Sequence, residues 1–227
     1  MALAVSMALM VVMASTATAA RHRPHRPPER CKDHLRQAVV ANAQALVYRA
    51  SVGGALAEFY GCVYGRRGTT DLGPAQDAPV GHGSGPAYNV RLAGHFAALE
   101  FDVFSTDFGP AERLETYDVR RGRIVRSIPT GQLTPAQMAW SQSAGEPKPF
   151  GVGPTRDLLV TADGALAWIV YDNIPPDPPT LQVWKADAGS APMMLAAGND
   201  LAVGSLAASG GVVYWTQAAT AHSASLR

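Results

Sequence analysis

The side chains that could carry out acid–base chemistry in this chain are six carboxylates near turns or strand ends. A glycosidase or lyase needs an acid and a base or nucleophile within several ångströms of each other. Carboxylates at strand ends and in turns are normally solvated, and no motif joins any two of these. An extracytoplasmic polysaccharide hydrolase or lyase that uses two of them is therefore one hypothesis for function, and it is the alternative to the binding function favoured below. The six residues are Glu100, Asp102, Asp107, Asp118, Asp163 and Asp172.

A glycine-rich segment, Gly81-His-Gly-Ser-Gly-Pro86, invites comparison with a serine nucleophile elbow. That elbow requires glycine two positions before and two positions after the serine. Here His82 and Pro86 flank Ser84 at those positions, so a glycine-rich connection is the better interpretation. The six histidines show no zinc spacing, and no Asp-x-Asp-x-Asp-Gly loop occurs. We expect neither a metal site nor a cofactor.

A small group of residues is favoured for contact with a ligand. Asp172 and Asp177 could share a cation with the asparagine between them, although the surrounding prolines fit a stiff loop better. Trp168 and Trp215 recur at equivalent positions and are interpreted as core residues. Trp140 lies in an irregular segment and is expected to be the most exposed aromatic residue. The candidate ligand-facing residues are therefore Trp140, Asp172 and Asp177.

The only two cysteines are Cys31 and Cys62. Neither belongs to a Cys-x-x-Cys pair, and no histidine is placed in the sequence to activate a thiol. In an oxidising compartment such a pair is expected to form a structural disulfide. The closed loop of about 31 residues would stabilise the fold by about 3–4 kcal/mol in the chain-entropy model.

The N-terminus is typical of an exported protein. Residues 1–20 contain an apolar run followed by Ala17-Thr18-Ala19, which a signal peptidase accepts, although no basic residue precedes the run. An uncleaved membrane anchor is the alternative interpretation of this segment. Residues 21–30 are basic and rich in proline and predict a flexible tail. We expect a secreted or cell-envelope protein without a further membrane span.

Composition limits the classes of partner. The chain has 227 residues, of which 47% are hydrophobic and 16% charged, with a net charge of +1. This balance gives no electrostatic reason to expect binding to nucleic acid or to an anionic membrane. The length suits one domain with a full core, and 22 glycines with 17 prolines indicate frequent turns. Residues 31–227 are therefore predicted to form a single domain.

The strongest pattern is a repeat in which a glycine turn leads into an apolar run of strand length. Asp163-Gly164 precedes Ala165–Tyr171, and comparable turns precede the runs after Gly94 and Gly211. A fainter copy follows Gly54. The four glycines are separated by 40, 70 and 47 residues, and the longest interval contains an irregular insertion at about 132–156.

This spacing predicts an all-β fold. Four-stranded propeller blades recur at about 40–50 residues, so about four small antiparallel meanders, propeller-like and open or incomplete, are expected. A β-sandwich is the alternative. Residues 31–50 favour two short strands over a helix, and Val90–Phe104 predicts one long strand or two strands broken near Phe101. Thr134 and Pro135 predict the cap and first position of a short helical turn that ends at Trp140.

The chain also resembles a group of secreted, mostly uncharacterised proteins of actinobacteria, the high-GC Gram-positive bacteria. The resemblance covers about residues 31–226 and is carried by Phe59–Cys62 after Val47–Arg49, by Val90–Ala98, and by the closing patterns at 204–206, 213–215 and 223–226. It implies propeller-type β repeats with an N-terminal cysteine pair. It implies no site residues.

These observations favour a secreted, non-catalytic β-repeat domain that binds a protein or carbohydrate partner through its loops, or serves as a scaffold at the cell surface. The absence of a catalytic constellation favours binding over the hydrolase or lyase alternative. A propeller hosts either function, so the fold alone does not decide between them.

Overall fold

The computed structural model describes residues 31–52, 56–75, 87–105, 109–143 and 153–227. Within these ranges the chain forms fifteen strands, one 3-10 helix (Cys31–Gln37) and one α-helix, α1 (Pro135–Ser143). The strands are arranged in four antiparallel sheets, and in each sheet the strands follow one another in chain order. The predicted all-β fold of four meanders is confirmed.

The four sheets, numbered in chain order, share one topology. Each is an up-and-down meander of consecutive strands, and the last sheet has three strands where the others have four. Sheet 1 contains β1 (Ala38–Ala41), β2 (Ala45–Val52), β3 (Leu56–Val63) and β4 (Thr70–Pro74). Sheet 2 contains β5 (Ala87–Ala93), β6 (Phe96–Ser105), β7 (Gly109–Asp118) and β8 (Arg123–Pro129). Sheet 3 contains β9 (Thr155–Val160), β10 (Leu166–Asp172), β11 (Thr180–Ala186) and β12 (Met193–Ala197). Sheet 4 contains β13 (Ala207–Ser209), β14 (Val212–Gln217) and β15 (Thr220–Ser225).

Three apolar cores join the sheets in order. One core lies between sheets 1 and 2, a second between sheets 2 and 3, and a third between sheets 3 and 4. Each pair of neighbouring sheets thus packs like the two layers of a sandwich, and repetition of this contact produces a propeller-like stack of blades. Among the described residues, no core cluster joins sheet 4 to sheet 1.

Strand β10 shows why the sequence specifies this stack. Every residue from Ala165 to Val170 is fully buried. Side chains alternate between the two faces of a strand, so Trp168 enters the core shared with sheet 2, and Ile169 enters the core shared with sheet 4. An uninterrupted apolar run is what a strand covered on both faces requires. The predicted core positions of Trp168 and Trp215 are confirmed.

The N-terminal region differs from the prediction. Two strands, β1 and β2, form as expected, but a 3-10 helix precedes them over Cys31–Gln37. Leu35 and Val39 have the spacing of an apolar helical face in the sequence, but their side chains are half exposed. The helix covers the outer face of sheet 1 through the disulfide between Cys31 and Cys62, which is confirmed with an S–S distance of 2.08 Å. Together with Leu46 and Tyr48, the two cysteines form a fourth apolar cluster.

The glycine turns of the repeat are confirmed for three of the four sheets. Gly94, Gly164 and Gly211 have φ values of 57°, 89° and 75°, and each precedes the second strand of its sheet. In that left-handed region glycine avoids the steric cost of a side chain. Gly54 lies outside the described residues, and the strand that follows it is the third of sheet 1. The faint first copy is therefore displaced by one strand, and Asn42–Gln44 occupies the equivalent turn.

Other predicted boundaries were partly wrong. The break in Val90–Phe104 falls at Gly94 and His95, between β5 and β6, because the turn lies there and not near Phe101. Strand β9, within and after the predicted insertion, was not predicted. The predicted helical turn is a full helix, and its cap is confirmed: Thr134 Oγ1 accepts the Gln137 N–H at 3.2 Å, and Gln137 Oε1 accepts the Thr134 N–H at 2.8 Å.

Candidate functional site

The turns of sheets 1 and 2 meet at one end of the stack. Asn42 Nδ2 donates a hydrogen bond to the carbonyl oxygen of Gly94 at 3.0 Å, which joins the β1–β2 turn to the β5–β6 turn. Arg66 Nη1 donates to the carbonyl oxygen of Arg120 at 3.4 Å, which joins the β3–β4 connection to the β7–β8 turn. We call this end of the two sheets the rim.

A cleft of about 410 Å³ opens at the rim. Its walls come from all four connections, so neither sheet could form it alone. We call it the rim cleft. Its lining residues are Ala43, Gln44, Val63, Tyr64, Arg66, His95 and Arg120.

The basic walls of the rim cleft come from two copies of one tripeptide. Arg66-Arg67-Gly68 follows β3, and Arg120-Arg121-Gly122 follows β7, so each copy follows the third strand of its sheet. Gly68 and Gly122 have φ values of 98° and 67°, which lets the chain turn without steric cost. The repeated topology therefore brings two sequence-distant arginine pairs to one place.

Most of this positive charge has no neighbouring carboxylate. Within the described ranges, only Arg121 of the four turn arginines forms an ion pair, with Nη1 3.5 Å from Asp118 Oδ2. Asp118 is buried, and its Oδ1 also lies 3.6 Å from His95 Nε2. No described carboxylate lies within 4 Å of the guanidinium groups of Arg66 or Arg120, and both side chains are exposed.

The chemistry of the rim cleft is suited to binding. Its described lining contains no Ser, Thr, Cys, Asp or Glu, and its titratable side chains other than the arginines are those of His95 and Tyr64. Guanidinium groups present planar sets of N–H donors that match carboxylates and phosphates. The Gln44 amide can both donate and accept, and Tyr64 adds a half-buried ring. This arrangement can hold an anionic, partly polar ligand.

The carboxylates considered for catalysis do not converge on an open site. Asp107 and the side chain of Asp102 lie outside the described residues. Asp163 is exposed in the β9–β10 turn, where its side chain accepts a hydrogen bond from Thr161 Oγ1. The prediction that these groups are solvated was wrong for Glu100, Asp118 and Asp172, whose exposed fractions are 0%, 1% and 5%. Glu100 and Asp172 accept hydrogen bonds from residues distant in the chain, whereas Asp118 is held mainly by Arg121, three residues away.

Glu100 is the most enclosed of these carboxylates. It lies between sheets 2 and 3, where Thr155 N–H donates to it at 2.6 Å and Asn89 Nδ2 donates at 2.6 Å. The Thr155 hydroxyl and the Glu112 side chain also form hydrogen bonds with it. Burial raises the pKa of Glu100, and these hydrogen bonds oppose the rise only in part. Glu100 is not part of the rim cleft and joins two sheets.

The predicted ligand-facing residues lie together near helix α1. The two aspartates among them accept hydrogen bonds from other side chains of the protein. Asp172 accepts hydrogen bonds from Gln137 Nε2 at 3.0 Å and from Gln182 Nε2 at 2.8 Å. Asp177 accepts one from Thr134 Oγ1 at 2.9 Å. Asp172 is therefore turned inward and does not present its carboxylate to solvent.

The third of these residues, Trp140, is half-buried in α1 and is less exposed than Tyr214 in β14, whose exposed fraction is 42%. The glycine-rich segment with His82 and Ser84 lies outside the described residues. Within the described ranges, no group of three or more His, Cys, Asp or Glu side chains is placed to hold a metal ion.

Comparison with known proteins adds no relative: no protein family, no curated protein and no solved structure matches this chain.

In the sequence, both Arg-Arg-Gly segments are typical only of turns. The signal that identifies the site was nevertheless present, because the same basic tripeptide occurs at the same position of two successive meanders. Each Arg-Arg-Gly segment follows the third strand of its sheet, and this common position places both segments at the rim.

Proposed function

We propose that this protein is an extracytoplasmic, non-catalytic binding domain that holds its ligand in the rim cleft. The observation that carries the proposal is the convergence of Arg66 and Arg120, from two sheets, on a cleft of about 410 Å³ without a described carboxylate partner for either. Two exposed positive charges held at the junction of two sheets are suited to the recognition of an anionic ligand.

A location outside the cytoplasm is supported by the disulfide. The disulfide between Cys31 and Cys62 joins the 3-10 helix to β3, and such bonds persist mainly in oxidising compartments. The signal-like segment at residues 1–20 agrees with export. Within the described ranges, no helix is long and apolar enough to cross a membrane.

Binding is better supported than polysaccharide cleavage. The described carboxylates with low exposure hold internal hydrogen bonds between sheets or to α1, as Glu100 and Asp172 do. A glycosidase needs two carboxyl groups that face the same substrate bond. The rim cleft, which is open to a ligand, has no carboxylate in its described lining.

The test blocks the rim cleft without altering its charge. Ala43 is exposed and lines the cleft, so Ala43→Trp should fill it, and Ala188→Trp places the same side chain at an exposed turn of sheet 3. Thermal unfolding would be measured with cell-wall fragments and soluble polysaccharides. A ligand at 100 times its Kd stabilises the native protein by about 2.7 kcal/mol. The wild type and Ala188→Trp should show the shift, and Ala43→Trp should lose it.

Two results would contradict the proposal. An equal shift in Ala43→Trp and wild type would place the ligand elsewhere on the protein. Release of new reducing or unsaturated chain ends from a bound polysaccharide would favour the hydrolase or lyase alternative over a binding domain.

A further inference from the structure

Given the proposed binding function, the chemistry of the rim cleft points to the class of its ligand. We infer that the rim cleft binds an anionic polysaccharide, with Arg66 and Arg120 each holding a carboxylate or phosphate group of the polymer. The inference rests on three properties of the site: the position of the arginines, the neutral polar groups beside them, and the contrast between local and total charge.

The position of the arginines comes first. Arg66 donates one N–H from Nη1 to the Arg120 carbonyl oxygen, so its guanidinium is oriented by the main chain of the neighbouring sheet. Its remaining N–H groups have no partner within the described ranges, which leaves them available to a ligand. A guanidinium that already has one main-chain hydrogen bond loses less conformational freedom when it binds a carboxylate or phosphate.

The neutral groups of the lining come second. Gln44 and Tyr64 stand in the same cleft as the two arginines, and the main chains at these residues are joined by a hydrogen bond of 2.9 Å from Tyr64 N–H to the Gln44 carbonyl oxygen. An amide and a phenol hydrogen bond readily with hydroxyl groups, and an aromatic ring packs against an apolar surface. A polymer that carries both hydroxyl groups and anionic groups satisfies this lining better than a bare inorganic anion.

The distribution of charge comes third. The whole chain has a net charge of only +1, so it lacks the overall positive field typical of nucleic-acid-binding domains. Positive charge is concentrated in the turns of the rim, where Arg67 and Arg123 are also exposed beside Arg66 and Arg120. Such a local patch matches a partner whose anionic groups are separated by neutral ones.

The experiment measures affinity for three soluble polymers of similar length: a hexuronate polymer, a polyol-phosphate polymer and neutral dextran. The first two separate a carboxylate ligand from a phosphate ligand. The charge-reversal variant is Arg66→Glu/Arg120→Glu. Its matched control, Arg36→Glu/Arg156→Glu, makes the same change in net charge at two exposed residues that do not line the rim cleft. Arg36 lies in the 3-10 helix, and Arg156 lies near the start of β9. Unfolding temperatures without ligand would confirm that both variants fold.

We expect the wild type to bind at least one anionic polymer and to bind dextran about tenfold more weakly or less. Arg66→Glu/Arg120→Glu should lose about tenfold or more of the affinity, because a charge-assisted hydrogen bond contributes at least about a factor of ten. The matched control should retain wild-type affinity. Arg66→Lys/Arg120→Lys should bind at an intermediate level, because it keeps the charge and loses the planar donor set.

Three outcomes would overturn the inference. Equal binding of dextran and the anionic polymers, blocked by Ala43→Trp, would keep the binding site and reject the anionic ligand. Equal losses in the charge-reversal variant and its control would show an effect of net charge alone. Duplex DNA that binds as tightly as the best polymer, with the same dependence on Arg66 and Arg120, would show general affinity for polyanions. Absence of binding to any polymer and any other ligand would instead remove the proposed function itself.

Discussion

The side-chain amide of Gln137 lies 3.0 Å from Asp172 Oδ1 and so joins helix α1 to the last residue of β10. The same side chain caps its own helix, because its Oε1 accepts the Thr134 N–H. One glutamine therefore satisfies a buried carboxylate and the start of a helix at once.

We predict that Gln137→Leu lowers the free energy of unfolding by about 2–4 kcal/mol, since it removes a cap and a hydrogen bond to a charged group. Urea denaturation monitored by tryptophan fluorescence measures the loss. Gln142→Ala, at an exposed position of the same helix, should change stability by less than about 0.5 kcal/mol. Similar losses in the two variants would show that the link to Asp172 contributes nothing.

The disulfide should contribute a large part of the stability. Replacement of both Cys31 and Cys62 by alanine opens a loop with a sequence separation of 31 residues and should cost about 3–4 kcal/mol in the chain-entropy model. Urea midpoints of the variant and of the wild type, each with and without reductant, give the comparison. Reductant should lower the midpoint of the wild type only. An unchanged wild-type midpoint would refute a stabilising role for the disulfide.

The buried Glu100 should make stability fall as the pH rises. Its pKa in the folded protein lies above the ordinary value of 4.5, so the folded state holds a proton that the unfolded state has released. The stability contributed by this proton is fully present below about pH 4.5 and is lost as the pH rises through the folded pKa. Glu100→Gln should remove that loss, so its stability relative to wild type should improve with rising pH.

The measurement is the urea midpoint of both proteins at a series of pH values from acid to neutral. Ile128→Val provides a control, because it lowers stability in the same core without changing a titratable group. The control should follow the pH profile of the wild type. Parallel profiles for Glu100→Gln and wild type would contradict the raised pKa of Glu100.

The contact between sheets 1 and 2 should not tolerate a methyl group at Gly61. An added Cβ would lie 2.9 Å from both Cγ atoms of Val119, the residue before Arg120. Gly61→Ala should therefore destabilise the protein by about 1–3 kcal/mol through overpacking. Val119→Ala creates space at the same point, so the double variant should be less destabilised than the sum of the singles by at least about 0.5 kcal/mol. Additive losses would show that the two residues do not compete for one volume.

The repeat was predictable wherever the chain's own pattern determined the structure. The run from Ala165 to Val170 is apolar without interruption, and the glycine turns before β6, β10 and β14 need a left-handed residue. Both requirements are local, so they are visible in sequence. The cap of α1 was predictable for the same reason, because Thr134 and Gln137 are only three residues apart.

The remaining features depend on contacts between distant residues. Glu100 is enclosed by Thr155, 55 residues away, and Arg66 meets Arg120, 54 residues away. No local pattern distinguishes a solvated glutamate from one that two sheets will enclose. The apolar spacing of Leu35 and Val39 likewise does not show which face is covered, because both side chains are half exposed.

The serial packing of the sheets also bears on how such a protein can change through evolution. In a closed ring every blade touches two others, so gain or loss of one blade alters the curvature required of all. Here sheet 4 shares a core with sheet 3, and no described cluster joins it to sheet 1. Duplication or deletion of a meander at that end would alter a single interface and leave the cleft between sheets 1 and 2 intact. The geometry thus separates the end of the molecule that can vary in length from the two sheets that form the rim cleft.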